Sequence, residues 1–278
     1  MEFTSIAKAK KETGLSYLGG VATSAKLIKN LKVGHYTYSL MLSPANTSGY
    51  NTCPNSTPEC RLGCLATSGR SAVDIFSGKH IIKKCRIKKT RLFVENKSYF
   101  MAWLISELKY WQAKAKKDGY FFSARLNTIS DINWQMVLID GKNIFQIFPE
   151  VQFYDYSKSH LKFENKPKNY HLTYSFTGRN EELCKALLEK GENVAVIFKK
   201  VKHEVDLPKY FMNHAVINGD ENDYRPLDPK GCIVGLKFKR IANRVNEAKV
   251  LNSCFIIDPL TDIRCSNVQK EINELTLA

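Results

Sequence analysis

Residues 170–198 read YHLTYSFTGRNEELCKALLEKGENVAVIF, and the way this stretch divides decides the fold. Tyr170–Phe176 is rich in aromatic residues and reads as a strand. Asn180 then caps a helix running to Lys190, with Leu183, Leu187 and Leu188 on one face and Gly191 to end it. Asn193–Phe198 is continuously apolar, the pattern of a strand covered on both faces. Strand, helix and strand in such quick succession make a unit of parallel sheet.

The same rhythm extends in both directions. Upstream, His35–Leu42 (HYTYSLML, stopped by Ser43-Pro44), Tyr120–Asn127 and Val151–Tyr156 read as strands. Downstream, His214–Asn218 and Cys232–Phe238 do the same. Phe100, Leu104, Leu108 and Trp111 recur at helical spacing between the Asn96 cap and Gly119, and Trp134–Phe148 is partly helical. The expected fold is α/β, a partial (β/α) TIM-type barrel of about six or seven mostly parallel strands. Residues 1–34, basic and without clear periodicity, are expected to form a flap or leading element. Residues 35–240 form the barrel domain, with a cysteine loop at 51–70, and 241–278 a helical or irregular appendage.

Lys and Arg number 42 against 27 Asp and Glu, a net charge of +15. Such an excess favours polyanionic partners, nucleic acid first, although a lysine-rich solvated surface has the same composition. Lys79–Arg91, KHIIKKCRIKKTR, concentrates it, and Lys83, Lys84, Arg86, Lys88, Lys89 and Arg91 are the expected phosphate contacts. No apolar run is long enough for a membrane span, and MEFTSIAKAKKETG has no secretory core. A cytoplasmic protein with reduced thiols is expected, without a membrane partner.

In parallel β/α folds function gathers at the carboxyl ends of the strands. Here those ends carry Arg125, Asn127, Ser130 and Asp131; then Asp155 and Tyr156, with Lys158 close behind; then Ser175; then Asp220, Asp223 and Arg225. Asp131, Asp155, Tyr156, Asp220 and Asp223 are candidate catalytic groups. Arg125, Asn127, Ser130, Ser175 and Arg225 are candidate cofactor or substrate ligands. Ordinary turn chemistry explains any one of these residues taken singly. The pairs Asp131/Asp155 and Asp220/Asp223 also admit Mg²⁺-dependent phosphodiester chemistry, with Tyr154 or Tyr156 as nucleophile.

Asn51–Arg70, NTCPNSTPECRLGCLATSGR, places Cys53, Cys60 and Cys64 in a C-x6-C-x3-C array just after the first of these strands. Pro54 and Pro58 keep the array out of helix until about Cys60. A structural zinc site needs a fourth ligand, for which Cys85, His80 or a distant cysteine would serve. Three thiolates with an open fourth position suit a [4Fe–4S] cluster. Three unrelated reduced thiols are the plain alternative. Cys184 and Cys232 fall in apolar patterns and read as buried small hydrophobes.

Five segments carry a resemblance: NTCPNSTPECRLGCLATSGR, SARLNTISDINW, QFYDYSKS, NYHLTYSFTGRN and HAVINGDENDYRPLDPKGCIVGLKFK. Together, over residues 35–240, they resemble the gene product 88 family of bacteriophage proteins, which implies a phage or plasmid origin and no particular reaction. The cysteine loop is also similar to that of phage proteins related to radical S-adenosylmethionine enzymes, with Thr57-Pro58 before the second cysteine. Those proteins carry C-x3-C-x2-C or near variants and an aromatic residue after the last cysteine, where this chain has Leu65. That similarity implies a radical-SAM-like barrel. Its [4Fe–4S] cluster would sit on Cys53, Cys60 and Cys64, with S-adenosylmethionine beside it and nucleic acid or nucleotides as substrate. A metal-dependent nuclease or nicking protein and a non-enzymatic, zinc-stapled nucleic-acid-binding module are the competing expectations.

Overall fold

The computed structural model describes residues 3–268. In chain order its strands are β1 (Gly19–Val21), β2 (His35–Leu40), β3 (Phe121–Arg125), the small hairpin β4 (Leu138–Ile139) and β5 (Lys142–Asn143), β6 (Gln152–Ser157), β7 (Tyr170–Ser175) and β8 (Asn193–Phe198). They continue with β9 (Tyr210–Phe211), β10 (His214–Asn218), β11 (Ile233–Lys237), β12 (Ile256–Ile257) and β13 (Cys265–Ser266). The main helices are α1 (Ile6–Thr13), α2 (Ala25–Lys29), α3 (Pro58–Leu62), α4 (Arg70–Phe76), α5 (Ile81–Glu95), α6 (Lys97–Lys117), α7 (Ile144–Ile147), α8 (Glu181–Glu189) and α9 (Arg244–Leu251).

All seven strands expected from the sequence are present within a residue or two at each end, and they are mutually parallel. Their order in the sheet is β2-β3-β6-β7-β8-β11-β10, so the chain advances one place at a time until the last two exchange. The architecture is mixed α/β with one large, mostly parallel sheet. Leu187, Leu188 and Cys184 of α8 pack against Val194, Val196 and Phe198 of β8, whereas the alternate residues Ala195 and Ile197 of its apolar run face a cavity on the other side of the sheet. On α6, Phe100, Leu104 and Leu108 enter the main core as their spacing requires, joined by Trp103.

The sheet is strongly curled. Arg125 ends β3 and Asp223 follows β10, five places away in the sheet, yet Arg125 Nη1 lies 2.7 Å from Asp223 Oδ2. In a flat sheet five strand spacings are about 24 Å. The connection from β10 to β11 contains no α-helix and turns across the inner face of this curl. Asp223, Tyr224 and Arg225 are buried there, with Tyr224 stacked 3.7 Å from His35 and edge-on to Tyr154.

The ends of the chain are more integrated than a flap and an appendage. β1 pairs antiparallel with β2, and Leu15 and Leu18 join the core. Glu107 of α6 accepts hydrogen bonds from Leu18 N (2.8 Å), Gly19 N (3.0 Å) and Tyr38 Oη (2.6 Å), clamping the leading segment. At the other end β12 pairs with β8 and β13 with β9. The rest of the expected appendage, residues 269–278, lies outside the described residues.

Candidate functional site

A cavity of about 540 Å³ opens at the carboxyl edge of the parallel strands. Arg125, Tyr156, Ser175 and Ile197 reach it from β3, β6, β7 and β8, and Leu236 from β11. These inward positions alternate along each strand with residues that pack under the helices. The opposite wall is the cysteine loop, and all of Cys53, Cys60 and Cys64 line the cavity. The loop is fixed from two sides. Asp131 N donates to Thr52 O at 2.8 Å, tying Cys53 to the end of β3. Ala242 N donates to Thr67 O, and Val250 of α9 sits where a Cβ on Gly63 would touch it at 3.0 Å.

The thiols are shielded. Burial raises Cys53, and it pushes Cys64 up to about 11, with Cys60 and Cys53 adding to the effect. Backbone donors nevertheless point at the sulfurs: Ala45 N lies 3.3 Å from Cys53 Sγ and Ala66 N lies 3.5 Å from Cys64 Sγ. Lys158 faces the same thiols. Burial alone would lower it, but Cys60 and Asp131 hold its amine above the ordinary lysine value. Amide donors and a nearby cation favour the thiolate over the thiol, against the effect of burial. Among the described residues no three His, Cys, Asp or Glu side chains converge closely enough to hold one metal ion.

The acids expected at the mouth are not free. Asp131 accepts from Ser157 Oγ (2.8 Å) and Lys158 N (3.0 Å) and is ion-paired with Lys162, so it braces the loop after β6. Asp220 faces Lys239 at 3.0 Å and Lys26 at 3.8 Å. Burial would raise Asp223, but Arg125 and then Lys26 hold its carboxyl below the usual carboxylate range. Each acid that lines the cavity already meets a cation, which leaves none as an open ligand for Mg²⁺.

Several expected site residues take other work. Asp155 lies between inward Tyr154 and Tyr156, so strand alternation turns it out of the cavity, where it accepts from Asn127 N and Tyr170 Oη. Asn127 lines the cavity, but its side chain is consumed by Ser130 Oγ, Ile132 and Trp134 Nε1. Ser130 spends its hydroxyl on that bond. Arg225 is buried below the cavity, donating to Asn222 O at 2.7 Å. Tyr156 keeps an unpartnered hydroxyl, with the Arg125 guanidinium 4.8 Å above its ring. Tyr154 is buried, its hydroxyl accepting from Asn30 Nδ2. Of the basic set, Lys89 is buried over the Tyr17 ring and Arg86 is half-buried against Ala66 O, whereas Lys83, Lys84, Lys88 and Arg91 are exposed on α5.

Lys26, Lys237 and Lys239 also line the cavity and were not among the expected site residues. Lys237 and Lys239 were findable by the strand-end rule, since Lys237 closes β11 and Lys239 follows two residues on. Lys26 was not, because only tertiary packing brings α2 to the mouth.

Fold and site define an α/β protein with a mostly parallel sheet and a thiol-walled cavity at its carboxyl edge. The chain belongs to the gene product 88 family, a family of bacteriophage proteins, whose model matches residues 8–253. That match includes β1 and α9, beyond the span of the five segments. No curated protein and no solved structure matches the chain. Among the described residues no helix is long and apolar enough to cross a membrane.

Proposed function

We propose that this is an iron–sulfur, radical S-adenosylmethionine-like protein acting on nucleic acid or nucleotides in the host cytoplasm. One observation carries the reading: Cys53, Cys60 and Cys64 form one wall of a cavity at the carboxyl edge of a curled parallel sheet, facing Arg125 and Lys158. We read the curl as an incomplete (β/α) barrel, its seam filled by the β10–β11 connection.

In this reading Cys53, Cys60 and Cys64 would hold a [4Fe–4S] cluster, which when bound would supply a single electron to the sulfonium of S-adenosylmethionine. The protein's own groups bind and orient. Arg125, positioned by Asp223, presents fixed positive charge to an anionic group in the cavity. Ser175 and the unpartnered Tyr156 hydroxyl offer polar contacts, and Ile197, Leu236 and Phe255 exclude water. Purification without oxygen should yield a brown protein with about four irons per chain. A colourless, iron-free protein of unchanged stability sinks the proposal.

A further inference from the structure

The outer surface beside the cavity carries cations without counter-ions. Between residues 70 and 91 the single acid is Asp74, and its carboxylate is committed to Ile81 N and Ile82 N, both at 2.9 Å, at the start of α5. Arg70, Lys79, Lys83, Lys84, Lys88 and Arg91 are exposed, and among the described residues none of them has an ion-pair partner. This arrangement costs the helix stability. Lys84 and Lys88 repel at i, i+4, and Lys83 and Lys84 crowd the end of α5 where the helix dipole favours acids. Two lysines of α1 extend the field, because Lys88 Nζ comes within 3.2 Å of a Cβ placed on Gly14, just past Lys10 and Lys11.

Apolar groups stand among these charges. Phe76 is 69% exposed, and Val73, Ile81 and Leu65 are also exposed. Leu65 is at the same time part of the cavity wall, so the platform runs up to the cavity lip. Arg86 joins the two by reaching from α5 to Ala66 O.

We infer that the α4–α5 surface binds single-stranded nucleic acid, with Phe76 stacking on an unpaired base and Lys83, Lys84, Lys88 and Arg91 meeting phosphates. Charge complementarity selects a polyanion. The exposed ring and aliphatic groups select unpaired bases, because a duplex hides its base faces and offers only phosphates to this surface. A cavity of about 540 Å³ at the end of the platform admits a nucleotide and not a duplex. The inference rests on the nucleic-acid reading above but not on the cluster.

The test is fluorescence anisotropy of the full-length protein with oligonucleotides of one sequence as single-stranded DNA, single-stranded RNA and duplex DNA, over a range of salt. Single strands should bind more tightly than duplex, and the DNA and RNA arms identify which is preferred. Phe76→Ala should weaken single-strand binding about tenfold and duplex binding little. Lys84→Ala and Lys88→Ala should each make the log–log salt slope shallower by about 0.7. Tyr110→Ala, at an exposed position of α6, is the control and should change nothing. Equal or tighter duplex binding, indifference to Phe76→Ala, or binding to anionic vesicles in place of oligonucleotides overturns the inference. Iron is measured on the same preparation. Iron-free protein that binds single strands keeps this inference and removes the cluster, whereas iron-loaded protein that ignores them does the reverse.

Discussion

Arg125 and Asp223 form a buried ion pair, 2.7 Å between Nη1 and Oδ2, that joins the end of β3 to the connection following β10. Asp223 is 1% exposed and Arg125 9%, so the pair is held largely away from bulk water, with Arg125 reaching the cavity wall. Lys26 adds a second cation 3.4 Å from the other carboxylate oxygen, and Asp223 N donates to Asn30 Oδ1. This group of contacts draws distant strands of the sheet together and sets Arg125 at the cavity floor.

Removing one partner should therefore cost far more than removing both. Asp223→Ala strands a buried guanidinium and should lower unfolding stability by about 3–5 kcal/mol. The double variant Arg125→Met/Asp223→Leu should recover most of that loss. Urea denaturation of the two single variants and the double variant measures the coupling, and additive losses would show that the pair does not hold the curl.

The cysteines should separate by position. Cys53→Ser, Cys60→Ser and Cys64→Ser should each strip most of the iron from anaerobically purified protein, because a cluster missing one of three thiolates is poorly held. Cys254→Ser, exposed and away from the cavity wall, should retain it. Iron analysis beside a folding check decides, and equal iron in all four variants would remove the triad as ligands.

Glu107 should matter well beyond an ordinary helix residue. Glu107→Ala leaves Leu18 N, Gly19 N and Tyr38 Oη buried without an acceptor, at about 1–3 kcal/mol for each orphaned group. The expected loss is at least about 3 kcal/mol, with early proteolytic cleavage ahead of β2. Glu107→Gln keeps an acceptor oxygen and should lose less. Limited proteolysis paired with thermal melts reads both effects.

His171 should give the fold an acid-sensitive component. Burial, with Lys166 and Arg225 adding, holds its imidazole down to about 4, whereas in the unfolded chain it titrates near 6.5. Between those values the unfolded chain binds the extra proton, so stability is full above about pH 6.5 and falls as pH drops toward 4. The shift corresponds to about 3 kcal/mol. Asp155, pushed up to about 7 by burial, acts in the opposite direction over much of the same range, so the comparison with a variant isolates the histidine. The stability difference between the unaltered protein and His171→Gln should change across pH 4–7, and parallel curves would exclude His171 from the acid transition.

The strands and the long helices were legible from the sequence because their signals are local. The apolar run Asn193–Phe198, the leucine face of α8 and the spacing along α6 each follow from periodicity within one element. The strand-end rule was right about the edge but not about every side chain. It placed Arg125, Tyr156, Ser175 and the cysteine loop at one cavity, while alternation along β6 turned Asp155 away and the loop after β3 consumed Asn127 and Ser130. α5 shows the same division: the charge run was plain, but only the helix phase sends Lys89 inward over Tyr17 and Lys84, Lys88 and Arg91 outward.

By itself, then, the sequence determined which segments are strands, that they run parallel, and which loop carries the thiols, since each depends on neighbours a few residues apart. The tertiary structure alone decided that the sheet curls until Arg125 meets Asp223, that Lys26 and Lys239 neutralise Asp220, and that the leading segment is clamped by Glu107. Those contacts join residues far apart in the chain, and which cation a buried carboxylate meets depends on the curvature of the whole sheet, not on any local pattern.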